Sequence, residues 1–317
     1  MKNERITRLA PSPTGALHLG NARTFLVNWL MARQGGWKIV LRIEDLDGPR
    51  VKKHADQQVI EDLRWLGADW DEGPVYQSSR VAIYRDAIED LIQGGSVYPC
   101  ICTRNEVESA ASAPHAEDGS AAYPGTCRGR FTSVAEAAAT SNRAPALRFR
   151  IDERVVRFVD RFRGPVEINV GTLGDFVIAK TDGTPAYQLA VVVDDAAMNV
   201  TDVVRGDDLL DSTPRQMLLY QALAMNAQIP TYWHIPLVIG TDGRRLAKRH
   251  GDTRLSYYRS IGVTAERVLQ LLARWCGIAA SQPISRASDL VGRLDLTKMS
   301  RQPIVFTERE DAWLRAK

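Results

Sequence analysis

The stretch Ile6-Thr7-Arg8-Leu9-Ala10-Pro11-Ser12-Pro13-Thr14-Gly15-Ala16-Leu17-His18-Leu19-Gly20-Asn21 decides the fold. Ile6 to Ala10 reads as a short strand, and Pro11 to Gly15 breaks it with turn residues. From Ala22 to Gln34 the apolar positions Phe25, Leu26, Trp29 and Leu30 recur at helical spacing. Gly35-Gly36 stops that helix, and Lys38 to Ile43 reads as a second strand. Strand, glycine turn, helix and strand make a βαβ unit, which implies a parallel sheet. The turn at its first strand end opens a helix, where backbone N–H groups and the helix dipole can receive phosphate. An imidazole at that entrance, His18, can hydrogen-bond phosphate oxygens as charge shifts in a displacement. Gly20 leaves room for a flat base against the backbone.

Working outward, Lys53 to Leu66 and Arg80 to Gly94 predict two more amphipathic helices. From Tyr98 the texture changes. Residues 100–142 hold three of the four cysteines and an Ala/Ser-rich stretch from Ala110 to Ala122, which reads as a loop in a small inserted module. Ala146 to Ile151, Val155 to Val159, Phe176 to Ile178 and Tyr187 to Val193 read as strands of that insert. Helical patterns return at Pro214 to Ala224 and at Thr264 to Gly277, the latter with Val268, Leu271, Leu272 and Trp275 on one face. No internal repeat is visible. The predicted division is a first half of a Rossmann-type catalytic domain over 1–97, an insert over 98–190, a second half over 191–240 and a helical region over 241–317.

The 317 residues are 44% hydrophobic and 25% charged, which excludes disordered, collagen-like and disulfide-scaffold classes. Apolar runs such as Leu189 to Val193 are too short to span a bilayer, so no membrane partner is expected. The charged start Met1 to Arg5 has no apolar stretch after it, and four cysteines suit a reducing compartment, so a cytoplasmic location is expected. From Gly240 to Lys317, 15 lysines and arginines face 8 acids, a net of +7, while the other 239 residues carry a net of −4. A basic C-terminal quarter points to a polyanionic partner.

Three further constellations carry chemistry. Gly243-Arg244-Arg245-Leu246-Ala247-Lys248-Arg249-His250-Gly251 is a basic turn able to place a mobile cation on phosphates. Arg8, Arg205 and Glu44 supply two cations and one anion, the complement of a ligand with two carboxylates and one ammonium. Cys100-Ile101-Cys102 with Cys127 offers three thiolates for one metal ion, with Tyr123 or His115 as the fourth donor. On metal chemistry alone His115 is the better donor. A disulfide between Cys100 and Cys102 would be strained.

These motifs resemble those of class I aminoacyl-tRNA synthetases, in the glutamyl/glutaminyl branch. His18-Leu19-Gly20-Asn21 stands at the HIGH positions and Arg245-Leu246-Ala247-Lys248-Arg249 at the KMSKS positions, with Ala247 lacking the serine hydroxyl. The resemblance, which covers about residues 5 to 255, implies an α/β Rossmann-type parallel sheet with an inserted zinc-containing α+β module and a short helical C-terminal domain. It implies ATP binding, with Mg²⁺, by His18, Gly20, Asn21, Arg245 and Lys248, with His18 and Lys248 catalytic. It implies glutamate binding by Arg8, Ala10, Ser12, Glu44, Tyr187 and Arg205. Cys-x-Cys followed by Tyr-x-x-x-Cys is similar to the zinc site of the glutamyl-queuosine tRNA(Asp) synthetases, which implies Cys100, Cys102, Tyr123 and Cys127 around one structural Zn²⁺. Only 66 residues follow Gly251, too few for the anticodon-binding domain of a glutamyl-tRNA synthetase, and the stretch Arg205 to Gln216 also resembles the shorter subfamily. The implied activity is activation of L-glutamate with ATP and its transfer to queuosine at the wobble position of tRNA(Asp), by a monomer docked on the anticodon stem-loop. Charging of the tRNA 3′ end and non-catalytic tRNA binding are the alternatives.

Overall fold

A computed structural model describes residues 4–13, 16–46, 53–103, 105–107, 122–153, 155–246, 251–279 and 282–316. Thr14, Gly15, His115, Ala247, Lys248 and most of the Ala/Ser-rich stretch lie outside the described residues. In chain order the first elements are β1 (Ile6–Leu9), α1 (Leu19–Gly35), β2 (Lys38–Ile43), α2 (Ala55–Leu66), β3 (Glu72–Tyr76) and α3 (Val81–Gln93). Next come β4 (Val97–Cys100), α4 (Val134–Ser141), β5 (Ala146–Phe149), β6 (Val155–Asp160), β7 (Gly164–Asn169) and β8 (Phe176–Ala179). Then follow α5 (Tyr187–Ala197), β9 (Asp202–Gly206), α6 (Ser212–Ala222), β10 (Thr231–Ile235) and β11 (Val238–Ile239). The chain closes with α7 (Leu255–Ser260), α8 (Ala265–Trp275), β12 (Ile304–Val305) and α9 (Glu308–Arg315).

The predicted βαβ unit is present. β1 and β2 pair in parallel from Ile6 opposite Lys38 to Leu9 opposite Leu41. Helix α1 starts three residues before the predicted Ala22, because His18 is its N-cap and accepts the Asn21 N–H through Nδ1 at 3.4 Å. It ends at Gly36, whose φ of 65° lets its N–H close back onto Ala32. The central sheet is parallel throughout, in the order β10-β9-β1-β2-β3. Strand order reverses between β1 and β9, so a crevice opens beyond their C-terminal ends, where ligands of such sheets sit.

Two large cores flank this sheet. One joins Leu9, Leu41, Ile43 and Ile235 to Leu26, Val27 and Leu30 of α1 and to Val268, Leu271 and Leu272 of α8. Helix α8 is thereby part of the same packed layer as α1. The other joins Tyr84 and Leu91 of α3, Leu189 and Val192 of α5, and Leu219 of α6 to Phe149, Phe176 and Ile178. The last three come from the antiparallel sheet β4-β5-β8, beside which β6 and β7 form a hairpin.

One expectation fails. Tyr187 to Val193 reads as a strand, but it opens helix α5, and the predicted boundary at residue 191 falls inside that helix. Every residue from Leu189 to Ala196 is buried, so no polar face marks a helical period. A short apolar run buried on all sides cannot be told from a buried strand by periodicity. None of the helices among the described residues is long and apolar enough to cross a membrane.

Candidate active site

A cleft of about 470 Å³ opens at the reversal point of the sheet. Its walls include Arg8, Ala10, Ser12, Glu44, Tyr187 and Arg205, all six residues expected to hold glutamate. They also include His18, Gly20, Asn21 and Arg245, the four described residues expected to hold ATP. β1 carries Arg8 and is followed at once by Ala10, Glu44 directly follows β2, the first turn of α5 carries Tyr187, and β9 carries Arg205.

Charge in the cleft is built in layers. Arg42 is fully buried and lies behind the cleft wall. Its guanidinium donates to Glu44 Oε1 at 3.0 Å and to Asp195 Oδ1 at 2.6 Å. Asp195 also sits 3.4 Å from Arg8 Nε. Its neighbour Asp194 accepts from Gln77, Arg80 and Tyr84 at 2.7–2.8 Å. Glu44 is therefore aimed by Arg42 and Arg8 by Asp195. Burial raises the Glu44 pKa, against the opposing pull of Arg42 and Arg8. Arg205 is held differently, by His234 Nε2 at 3.0 Å, Gln216 Oε1 at 2.9 Å and Thr213 Oγ1 at 2.8 Å.

At the phosphate end, burial and then the nearby Arg245 push the His18 imidazole down to about 4, so it is neutral at pH 7. Because Nδ1 accepts from Asn21, the ring proton belongs on Nε2. A Cβ built on Gly20 would sit 3.2 Å from His18 Nδ1, so a side chain there would crowd the imidazole. Arg245 pairs with Asp208 at 2.5 Å. Leu19 N–H donates to Thr253 O at 3.0 Å and Leu255 N–H to Leu17 O at 2.7 Å. In the basic tail, Arg254 pairs with Asp252 and Arg259 with Glu61.

Away from the cleft, the Sγ atoms of Cys100, Cys102 and Cys127 lie within 4.8 Å of one another. The Tyr123 hydroxyl is 3.4 Å from both Cys100 Sγ and Cys102 Sγ, and it accepts the Cys127 N–H at 2.8 Å. Tetrahedral zinc with Zn–S of about 2.3 Å and Zn–O of about 2.0 Å needs S···S edges near 3.8 Å and S···O edges near 3.5 Å. The Cys102–Cys127 separation of 3.5 Å and the two S···O distances of 3.4 Å lie close to those edges. Arg148 donates to Cys100 Sγ at 3.3 Å and covers the Tyr123 ring at 3.8 Å, placing a cation beside the sulfurs.

Comparison with known proteins matches residues 5–310 to tRNA synthetases class I (E and Q), catalytic domain. The chain belongs to this family. It is a ligase of the class I aminoacyl-tRNA synthetases. It is 46% identical over 306 residues to the Glutamyl-Q tRNA(Asp) synthetase of Symbiobacterium thermophilum, covering 94% of each chain. It is 41% identical over 308 residues to the Glutamate–tRNA ligase of Geobacter sulfurreducens, covering 97% of this chain and 64% of that one. Among solved structures, the glutamate tRNA ligase from Elizabethkingia meningosepticum in complex with its amino acid superposes with a TM-score of 0.82 at 28% identity. That match covers 98% of this chain and 69% of the other.

Within this class I synthetase scaffold, some residues that line or brace the cleft have no signal in the sequence. Asp194 and Asp195 look like the polar end of an apolar run. Asp160 and His234 are 74 positions apart, and only the fold joins them, at 2.7 Å. Thr213, Gln216 and Asp208 lie in the stretch already marked by its resemblance, but no role for them is visible there.

Proposed function

We propose that the chain activates L-glutamate with ATP, supplied with Mg²⁺, and transfers the glutamyl group to queuosine at the wobble position of tRNA(Asp). Glutamate–tRNA ligase-like activity is the coarser part of this reading and follows from the family. The observation that carries the finer part is likeness along the whole chain: two relatives called Glutamyl-Q tRNA(Asp) synthetase match over 94–97% of this chain and 94–98% of their own.

In the first step a carboxylate oxygen of glutamate attacks the α-phosphorus, the bond to the β-phosphate oxygen breaks, and pyrophosphate leaves. Arg8 and Arg205 take the two carboxylates, Glu44 the ammonium, and Tyr187 lines the site together with Ala10 and Ser12. Neutral His18 donates from Nε2 to phosphate oxygen, Gly20 and Asn21 border the nucleotide, and Arg245 and Lys248 balance the charge that develops on the leaving group. In the second step a hydroxyl of the queuosine cyclopentene-diol attacks the acyl carbon, AMP leaves with the electron pair of the broken C–O bond, and the hydroxyl proton is released to solvent. No protein nucleophile takes part, so positioning and electrostatics carry the rate.

One zinc ion on Cys100, Cys102, Tyr123 and Cys127 would staple the insert together. The basic C-terminal quarter would meet backbone phosphates of the anticodon stem.

The test is glutamylation of tRNA(Asp) with and without queuosine using labelled glutamate. Label that maps to the anticodon loop and requires queuosine supports the reading. Label on the terminal adenosine supports 3′-end charging, the reading favoured by the Geobacter ligase likeness. Binding of tRNA without glutamate-dependent pyrophosphate exchange would leave only a binding protein.

A further inference from the structure

The arginines lining the cleft are not equivalent. Arg8 has Asp195 at 3.4 Å and Arg245 has Asp208 at 2.5 Å, so each already faces a protein carboxylate. Arg205 is 5% exposed, and among the described residues its hydrogen-bond partners are the neutral groups of His234, Gln216 and Thr213. We infer that His234, Gln216 and Thr213 form a charge-neutral clamp, which fixes the Arg205 guanidinium while leaving its full positive charge for a substrate carboxylate. This rests on the reading that Arg205 binds glutamate.

The bonding arithmetic supports it. A guanidinium has five N–H groups. Nε–H goes to His234, one N–H of Nη1 to Gln216 and one of Nη2 to Thr213. One N–H remains on each terminal nitrogen, the pair a carboxylate engages bidentately.

Two of the three clamp residues, Gln216 and His234, have further partners that suit their accepting form. Arg205 only donates, so Gln216 turns its carbonyl toward it; Gln216 Nε2 then donates to Gln188 Oε1 at 3.0 Å, and Gln188 Nε2 donates to Ser212 Oγ at 3.0 Å. His234 accepts from Arg205 through Nε2, so its ring proton sits on Nδ1 and goes to Asp160 Oδ2 at 2.7 Å. Asp160 is locked by the backbone N–H groups of Phe162, Arg163 and His234. A carboxylate therefore orients the clamp, but it is held one imidazole away from Arg205. A carboxylate in direct contact would offset part of the guanidinium charge, as Asp195 does for Arg8. These are positioning residues for glutamate.

The experiment is glutamate-dependent ATP–pyrophosphate exchange with Gln216→Glu, which keeps the shape of the acceptor, adds charge and gives up the donor to Gln188, a donor that Gln216→Met gives up as well. The expected result is a glutamate KM raised about ten- to hundredfold, the size of one lost charge-assisted contact, with the ATP KM unchanged. Gln216→Met removes the acceptor without adding charge and is expected to raise the glutamate KM less. Equal rises in the two variants, or no rise in Gln216→Glu, overturn the clamp. His234→Gln keeps a neutral acceptor and is expected to stay closer to the parent than His234→Asp. Should Gln216→Glu fail to fold, Thr213→Asp is read the same way. Arg205→Ala separates the layers: an unchanged glutamate KM there refutes the role of Arg205 itself. A raised KM in Arg205→Ala without one in Gln216→Glu refutes the clamp alone.

Discussion

The backbone N–H of Leu255 donates to the carbonyl of Leu17 at 2.7 Å, and this bond ties together two loops lying 238 residues apart in the chain. With the return bond from Leu19 N–H to Thr253 O, it fixes the segment after the basic turn against the N-cap of α1. On the other side of that turn, Ile239 bridges Arg245, and Arg245 pairs with Asp208. Both ends of the basic turn are therefore anchored at the mouth of the cleft, next to His18.

This anchoring bears on Lys248, which lies between the two anchors. Lys248→Ala is expected to abolish most glutamate-dependent pyrophosphate exchange while leaving the melting temperature near that of the parent. Retained exchange would remove Lys248 from the proposed first step.

The buried carboxylate Asp195 should matter for stability as well as for binding. It serves Arg42 at 2.6 Å and Arg8 at 3.4 Å. Asp195→Asn leaves two buried guanidinium groups short of a counter-charge, which costs about 3 kcal/mol. Denaturant unfolding should show that loss, and the glutamate KM should rise with it. A variant as stable as the parent would show that Glu44 and Asp194 suffice to hold Arg42.

Metal content tests the cysteine cluster. Cys100→Ser removes one of three clustered sulfurs, and purified variant protein should lose bound zinc by elemental analysis. Arg148→Ala should keep the metal but hold it less tightly against a chelator, since a cation beside the thiolates is lost. Full zinc in Cys100→Ser would remove Cys100 from the ligand set.

Stability should depend on pH through buried histidines. Burial lowers both His18 and His234 to about 4, so between about pH 6.5 and 4 the unfolded chain binds more protons than the folded one. Stability then falls as pH falls through that window, by about 3 kcal/mol per histidine over its full width. Asp62, pushed up to about 6 by burial, acts in the opposite sense, because the folded state holds its proton longer. The two histidines outweigh it, so the denaturant midpoint at pH 4.5 should lie below that at pH 7. A midpoint that holds steady or rises would contradict the neutral assignment of these rings.

Much of the site could be read before the fold was known. The βαβ unit, the apolar faces of α1 and α8, and ten of the cleft residues follow from spacing, turn chemistry and resemblance. These features are local or repeat a motif, so adjacent residues carry the information. Helix α5 reads as a strand because burial of every residue from Leu189 to Ala196 erases its periodicity. Asp160 and His234 stayed invisible because neither has a telling neighbour in sequence.

The sequence by itself determined the chemical inventory: a histidine at a helix entrance, a basic turn, two arginines with a glutamate, and three cysteines near a tyrosine. Only the tertiary structure decided how that inventory is used. It sends Arg42 behind the wall to aim Glu44, pairs Arg8 with Asp195, and gives Arg205 neutral partners. The reason is electrostatic. Whether an arginine is free to bind a ligand depends on which charges lie within a few ångströms of it, and those neighbours come from strands and helices far apart in the chain.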